Sequence, residues 1–260
     1  MMSSTRLQAY LRHIARAQYA AIAVPPFTLF FHPHDPAPWA NYAIPDEPAA
    51  GDVRPPLVLI RGGFAARGRR PRLEFVEGFA PDLAPALAAA GFVEEERMRL
   101  MLCTPETYRP VPVAPGLRVM SLTGDSTDDD LRAFLDTQRR VFEPTAVRPA
   151  TDAAAAYVRR GLREGDRAFL ARLDGAPVGT CAAAAPFDGL TELAGIATLE
   201  PYRRRGIASA LTAAAVHVAF EQGVEAALLS AADERAGRVY ERVGFRPSAT
   251  MLAYADREEG

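Results

Sequence analysis

The stretch ELAGIATLEPYRRRGIASALTAAAVHVAF, residues 192–220, is the part of the sequence best equipped for chemistry. A short apolar run passes through a turn containing Pro201 into a glycine, and a long Ala-rich helix is predicted from about Gly206 to Gln222. The first N–H groups of a helix have no intrahelical acceptor, and aligned peptide dipoles leave partial positive charge there, so this turn is suited to an anion. Gly206 and Ala208 are small enough for a pyrophosphate to reach the backbone, while Arg203, Arg204 and Arg205 add charge and forked donors. The competing reading is a solvated basic turn. Two further side chains could move protons. Glu192 opens the strand and offers a carboxylate base, or is an exposed charge at a strand start. Tyr240 offers a hydroxyl protonated at neutral pH, yet its helical spacing from Ala236 and Val243 also suits a core aromatic.

The elements that must position these groups are legible around them. TPETYRPVPVAPG, residues 104–116, holds Pro105, Pro110, Pro112 and Pro115 and reads as an extended connector, dividing the chain into 1–104, a linker over 105–116, and 117–260. After it come a strand at LRVMSLTG, a helix from Asp128 to Phe142 capped by Thr127, and a helix from about Asp152 to Leu162. Asp174-Gly175 then marks a hairpin turn between two apolar runs. A strand at Glu192–Thr198 precedes the Ala-rich helix. A strand at Ala226–Ser230, a helix over 233–243 ended by Gly244, and one or two last strands carry the chain to Tyr254.

The spacing Arg203-x-x-Gly206-x-Ala208, with Asp233-x-x-Ala236-x-x-x-Tyr240 and Gly244-Phe245 downstream, resembles the GNAT acetyltransferases over essentially all of 117–254. The resemblance implies an α/β (α+β) fold with a mixed central sheet flanked by helices, and acetyl-CoA as co-substrate. By the same resemblance, Ile196, Ala197 and Thr198 at a bulged strand end receive the pantetheine arm, and Arg203, Arg204, Arg205, Gly206, Ile207 and Ala208 hold the pyrophosphate. Tyr240 aligns with the acid that protonates the departing thiolate, and Glu192 with the general base. Asp233 stands where the family usually has Asn. A carboxylate only accepts, so Asp233 fits a helix cap better than the family's cofactor contact.

Before the linker, a helix near Thr5–Ala21 and short extended pieces among Pro25, Pro26, Pro33, Pro36, Pro38 and Pro45 are expected. The order strand, helix, Gly91-Phe92, strand repeats that around Gly244-Phe245 and places Leu73 and Phe75 on Ala226 and Leu228. This is consistent with a reduced GNAT-like half in tandem with a complete domain, although any strand and helix ending in Gly-Phe would look alike. The Gly/Arg-rich stretch Arg61–Arg70 lacks the loop spacing and has no helix after it, so one cofactor site per chain is expected.

A net charge of -2 over 260 residues excludes the one-signed field of nucleic-acid or anionic-membrane binders. Met1–Ala23 has no continuous apolar core for a signal peptide or anchor, and Cys103 and Cys181 belong to no metal spacing, so free thiols in a cytoplasmic protein are expected. Cys181, in the hairpin, is not read as an acyl carrier, and no metal is expected. His32-x-His34 could set two imidazoles on one strand face as metal ligands but, with no third ligand evident, reads as ordinary surface; His217 reads as a packing histidine, and Trp39-Ala40-Asn41-Tyr42-Ala43 as aromatic core, the alternative being the lining of an acceptor pocket. Acetyl transfer to a small-molecule or peptide amine by direct attack, non-catalytic acyl-CoA sensing, and a purely structural tandem all remain on the table, with a homodimer compatible with each.

Overall fold

The computed structural model describes residues 2–33, 35–48, 51–143, 149–231 and 233–257. The chain divides into two compact units, Met1–Leu100 with Ser248–Gly260, and Met101–Pro247. The Pro-rich stretch read as a connector falls within the second unit, and the C-terminal segment from Ser248 is grouped with the first.

The first unit runs α1 (Ser4–Gln18), β1 (Ala20–Val24), β2 (Phe27–Phe31), β3 (Asn41–Pro45), α2 (Arg54–Ala65), β4 (Arg72–Val76), α3 (Leu83–Ala89) and β5 (Phe92–Cys103), the last three residues of β5 belonging to the second unit. Strands β1, β2 and β3 are antiparallel, β4 is parallel to β3 at Ala43↔Leu73, and β2 is buried along its whole length. The second unit runs β6 (Leu117–Leu122), α4 (Asp128–Phe142), α5 (Asp152–Glu164), β7 (Arg167–Leu173), β8 (Ala176–Ala183), β9 (Leu190–Thr198), α6 (Ile207–Glu221), β10 (Ala226–Ala231) and α7 (Glu234–Val243), with β11 (Arg246–Asp256) following. From Ser248 onward β11 belongs to the first unit, where Met251–Ala255 pair antiparallel with Arg72–Val76. Along the chain one order occurs twice: three antiparallel strands (β1–β3, then β7–β9), a helix, a strand parallel to the third (β4, then β10), a helix and a final strand (β5, then β11).

Local sequence accounts for the element starts. Ser3, Thr127, Thr151 and Asp233 each accept a hydrogen bond from the N–H three residues on, a cap worth about 1 kcal/mol. The hairpin between β7 and β8 turns on Asp174 (φ 50°) and Gly175 (φ 86°), the positive pair that matches strand twist. In the second unit, α4 and α5 bury Leu131, Phe134, Ala155 and Leu162 against Leu122, Ala168 and Leu170 on one face. On the other face Ile207, Leu211, Ala215 and Val216 of α6 pack on Phe169, Val178, Cys181, Leu193 and Leu229, with Tyr108 and Val111 of the Pro-rich stretch against the same core. Burial on several sides explains the nearly unbroken apolar sequence of α6.

Several expectations are corrected. Helix α2 was not expected, because Pro55 and Pro56 and the pair Gly62-Gly63 weaken its pattern. The prolines occupy the first turn, where a missing N–H costs nothing, and Leu57, Ile60 and Phe64 then form a buried stripe. Trp39, read as core, is 70% exposed, whereas Tyr42 packs edge-on against Tyr19. His217 lies on the outer side of α6, 3.4 Å from Glu221 and stacked on Tyr108. His34 lies outside the described residues. Both cysteines are buried free thiols. Among the described residues no cluster of three or more His, Cys, Asp or Glu could hold a metal, and no helix is long and apolar enough to cross a membrane.

Candidate active site

Strand β9 ends at Thr198 and a single 3-10 turn, Glu200–Tyr202, hands the chain to the arginines. Arg203 is extended, Arg204 takes φ +64° and Gly206 takes φ +76° as the N-cap of α6, with no side chain capping the helix. Left-handed residues beside right-handed ones gather successive N–H groups into a concavity suited to anions. The loop is exposed from Arg203 through Gly206. Arg203 Nε donates to the Thr198 carbonyl at 3.3 Å and Arg205 lies 5.6 Å above the Tyr202 ring, so these two arginines brace the loop.

A Cβ at Gly206 would meet no protein atom within 4 Å. Glycine is required there by its positive φ and by whatever approaches from the open side, rather than by crowding from the protein itself. Crowding acts instead at Gly179 of β8, where a Cβ would come 2.7 Å from Ala197 O and 3.0 Å from Ile207 Cγ2. That glycine lets the first turn of α6 settle onto the end of β9.

The antiparallel register of β8 and β9 pairs Thr180 with Ala197 and Ala182 with Ala194, so Gly195 and Ile196 together oppose Cys181 alone. This is a one-residue bulge on β9, with Gly195 at φ +59° and its carbonyl accepting from Thr180 Oγ1 at 3.1 Å. On the opposite edge the parallel ladder to β10 covers Leu190↔Ala226 through Glu192↔Leu228, although β9 continues to Thr198 and β10 to Ala231. Beyond that point β9 and β10 have no paired register among the described residues. The hydroxyl of Thr198 is buried and has no hydrogen-bond partner among the described residues.

The sheet separates the two proton-handling candidates. Leu193 belongs to the core beneath α6, where Tyr240 also packs, 6.2 Å from the Phe245 ring. Strand alternation therefore directs the half-buried Glu192 to the opposite face, the one covered by α4 and α5. Burial pushes the Tyr240 hydroxyl up to about 12, with Cys181 and Asp233 adding to the shift, so it is a proton donor at neutral pH. Asp233 accepts from Ala236 N at 2.7 Å and caps α7, the use expected of a carboxylate in place of the family's amide. Ile196, Ala197 and Thr198 adjoin the loop from Arg203 to Ala208.

Gly179, Thr180, Gly195 and the α4 residue Gln138, which lies against Gly195, were not singled out from sequence. An isolated glycine inside an apolar strand is a bulge signal, and Gly195 carried it. Gln138 and Thr180 carried none, because only the folded sheet places them at the bulge.

The family model described as the acetyltransferase (GNAT) family matches residues 131–245, from α4 through the end of α7. Residues 131–245 form a GNAT-family domain. The family's activity is acetyl transfer, and its usual co-substrate is acetyl-CoA. A solved GCN5-related N-acetyltransferase from Kribbella flavida is 26% identical over 100% of this chain and 98% of its own, with a TM-score of 0.80. A GCN5-related N-acetyltransferase from Sphaerobacter thermophilus is 16% identical over 98% and 89%, with a TM-score of 0.70. A tandem GNAT protein from the clavulanic acid biosynthesis pathway is 16% identical over 88% and 77%, with a TM-score of 0.65. These last two show the fold alone. No curated protein matches the chain.

The first unit handles the same places differently. Ahead of α2, the Asp52 carboxylate accepts from Arg54 N at 3.0 Å and pairs with the Arg54 guanidinium at 2.8 Å, and Pro55 and Pro56 supply no N–H, so an internally neutralised ion pair and missing donors stand where the GNAT domain has its arginine loop. At the ends of β3 and β4 the buried Gln8 carboxamide donates to Pro45 O at 3.2 Å and accepts from Val76 N at 2.8 Å. A side chain of the unit itself thus satisfies the backbone groups between its two parallel strands.

Proposed function

We propose that the protein transfers an acetyl group from acetyl-CoA to a primary amine by direct attack within a ternary complex, at one site per chain in the GNAT domain. The observation that carries this reading is the coincidence, within Gly195–Ala208, of a bulge, an interrupted ladder, a buried unpartnered hydroxyl at Thr198 and an open helix N-terminus. Ile196, Ala197 and Thr198 would pair with the amides of the pantetheine arm as a neighbouring strand would, and the loop from Arg203 to Ala208 would neutralise the pyrophosphate. Asp233, engaged as a cap, is not needed for this. Bound acetyl-CoA would supply the activated acyl group as a thioester.

The remaining steps belong to this chain's residues. Glu192 accepts the ammonium proton, directly or through water, on the α4 face, leaving a neutral amine that adds to the thioester carbonyl to form the new C–N bond; as the adduct collapses and the C–S bond breaks, its surplus N–H proton passes through water to restore the proton that Tyr240 gives up. Tyr240 donates its proton to the departing sulfur from the α6 face. Acid and base on opposite faces let deprotonation of the amine and protonation of the leaving sulfur proceed without competing for one proton relay. The Gln8-plugged slot and the proline-started helix α2 of the first unit support a single cofactor site. Buried free thiols suit a reducing, cytoplasmic setting.

The test is CoA release, read by a thiol reagent, with acetyl-CoA and a panel of aminoglycosides, polyamines, amino-acid derivatives and peptides. Release that depends on at least one amine is expected. Tight acetyl-CoA binding with no amine-dependent release across the panel would favour a non-catalytic acyl-CoA sensor instead.

A further inference from the structure

We infer that Gln138 is the residue that limits the acyl group to a short chain, an inference that rests on the transferase reading above. An arm that completes the free edge of β9 along Ile196–Thr198 brings its thioester to the bulge at Gly195–Ile196. Further travel along the gap between β9 and β10 is closed, because the two strands are joined at Glu192↔Leu228 and below. A longer acyl chain must therefore leave the plane of the sheet. On the α6 side it meets the packed core of Cys181, Leu193 and Tyr240, in which Cys181 has no exposed surface. On the α4 side the way out passes Gly195, and there stands the carboxamide of Gln138, so close that a Cβ on Gly195 would collide with its Nε2.

Two properties make Gln138 a gate rather than part of the scaffold. It is half-buried, and its amide makes no hydrogen bond among the described residues, so shortening it removes bulk without orphaning a buried partner. It also fills the space over the one β9 residue without a side chain, so that shortening it frees volume on the α4 side of the bulge. A pocket closed by side-chain volume discriminates by about tenfold or more for each methylene it excludes.

The test needs no knowledge of the amine. Calorimetric affinities for acetyl-CoA and butyryl-CoA are compared in wild type, Gln138→Ala and Gln138→Met. Butyryl exceeds acetyl by two methylenes, so the wild type should bind butyryl-CoA at least about a hundredfold more weakly than acetyl-CoA. Gln138→Ala should bring the two within about threefold while keeping its acetyl-CoA affinity, and Gln138→Met, of similar length, should keep the gap. Equal affinities in the wild type, or an undiminished gap in a Gln138→Ala protein that still binds acetyl-CoA, would overturn the gate. Binding of neither thioester by the wild type would instead remove the transferase reading, and the gate with it.

Discussion

Replacing Gly206 with glutamate is expected to abolish the stabilisation that acetyl-CoA gives the wild-type protein. A ligand at about a hundred times its dissociation constant adds about 2.7 kcal/mol to the unfolding free energy, which is readily seen as a rise in Tm. In Gly206→Glu the backbone must hold a non-glycine residue at φ +76°, a strain of about 1–2 kcal/mol, so the ligand-free variant should melt somewhat lower. The larger effect is electrostatic. A carboxylate at the N-cap would compete for the same amides and face the pyrophosphate with like charge. Since a Cβ there touches no protein atom, the fold itself has room for the side chain. A variant that folds and still shifts with acetyl-CoA as much as wild type would remove the loop from the binding site.

Tyr240→Phe is expected to lower amine-dependent turnover by about 10²–10⁴ while leaving acetyl-CoA affinity within about twofold, since a general acid acts on the breaking bond rather than on ground-state binding. The ring packs beside Phe245, which phenylalanine can preserve, so any loss is assigned to the hydroxyl. Its pH behaviour is a second readout. With the hydroxyl pushed up from the ordinary 10 to about 12, Tyr240 should cause no loss of rate as pH rises through 10. The sign for stability follows. Below 10 the tyrosine is protonated in both folded and unfolded chains, whereas between 10 and 12 only the unfolded chain ionises, so the contribution of Tyr240 to stability is lost across that window. Tyr240→Phe should lack that part of the alkaline decline. Unchanged turnover in the phenylalanine variant would make Tyr240 a core aromatic only.

The second unit was readable because its sequence agrees at every level. Thr127, Thr151 and Asp233 are caps, Asp174-Gly175 has the dihedrals of a tight turn, and the loop ahead of α6 combines glycine with arginines. The first unit was less so. Helix α2 disguises its start with two prolines, and its buried stripe of Leu57, Ile60 and Phe64 is too short to outweigh them by pattern alone. The pairing of Met251–Ala255 with Arg72–Val76 joins residues nearly 180 positions apart, and no local pattern encodes a partner at that separation. The same holds for the site. Arg203–Ala208 is one contiguous signal, whereas the opposite placement of Glu192 and Tyr240 depends on strand alternation and helix packing, and Gln138 reaches Gly195 only once α4 lies on the sheet.

The account turns on one acyl-CoA site, built by the bulge of β9 and the first turn of α6. A calorimetric titration of the wild-type chain with acetyl-CoA tests it most directly. One mole bound per mole of chain is the predicted result, with the plugged first unit contributing none. Saturation at two moles per chain would contradict the reading of Gln8 and Asp52, and the absence of any binding would contradict the site itself.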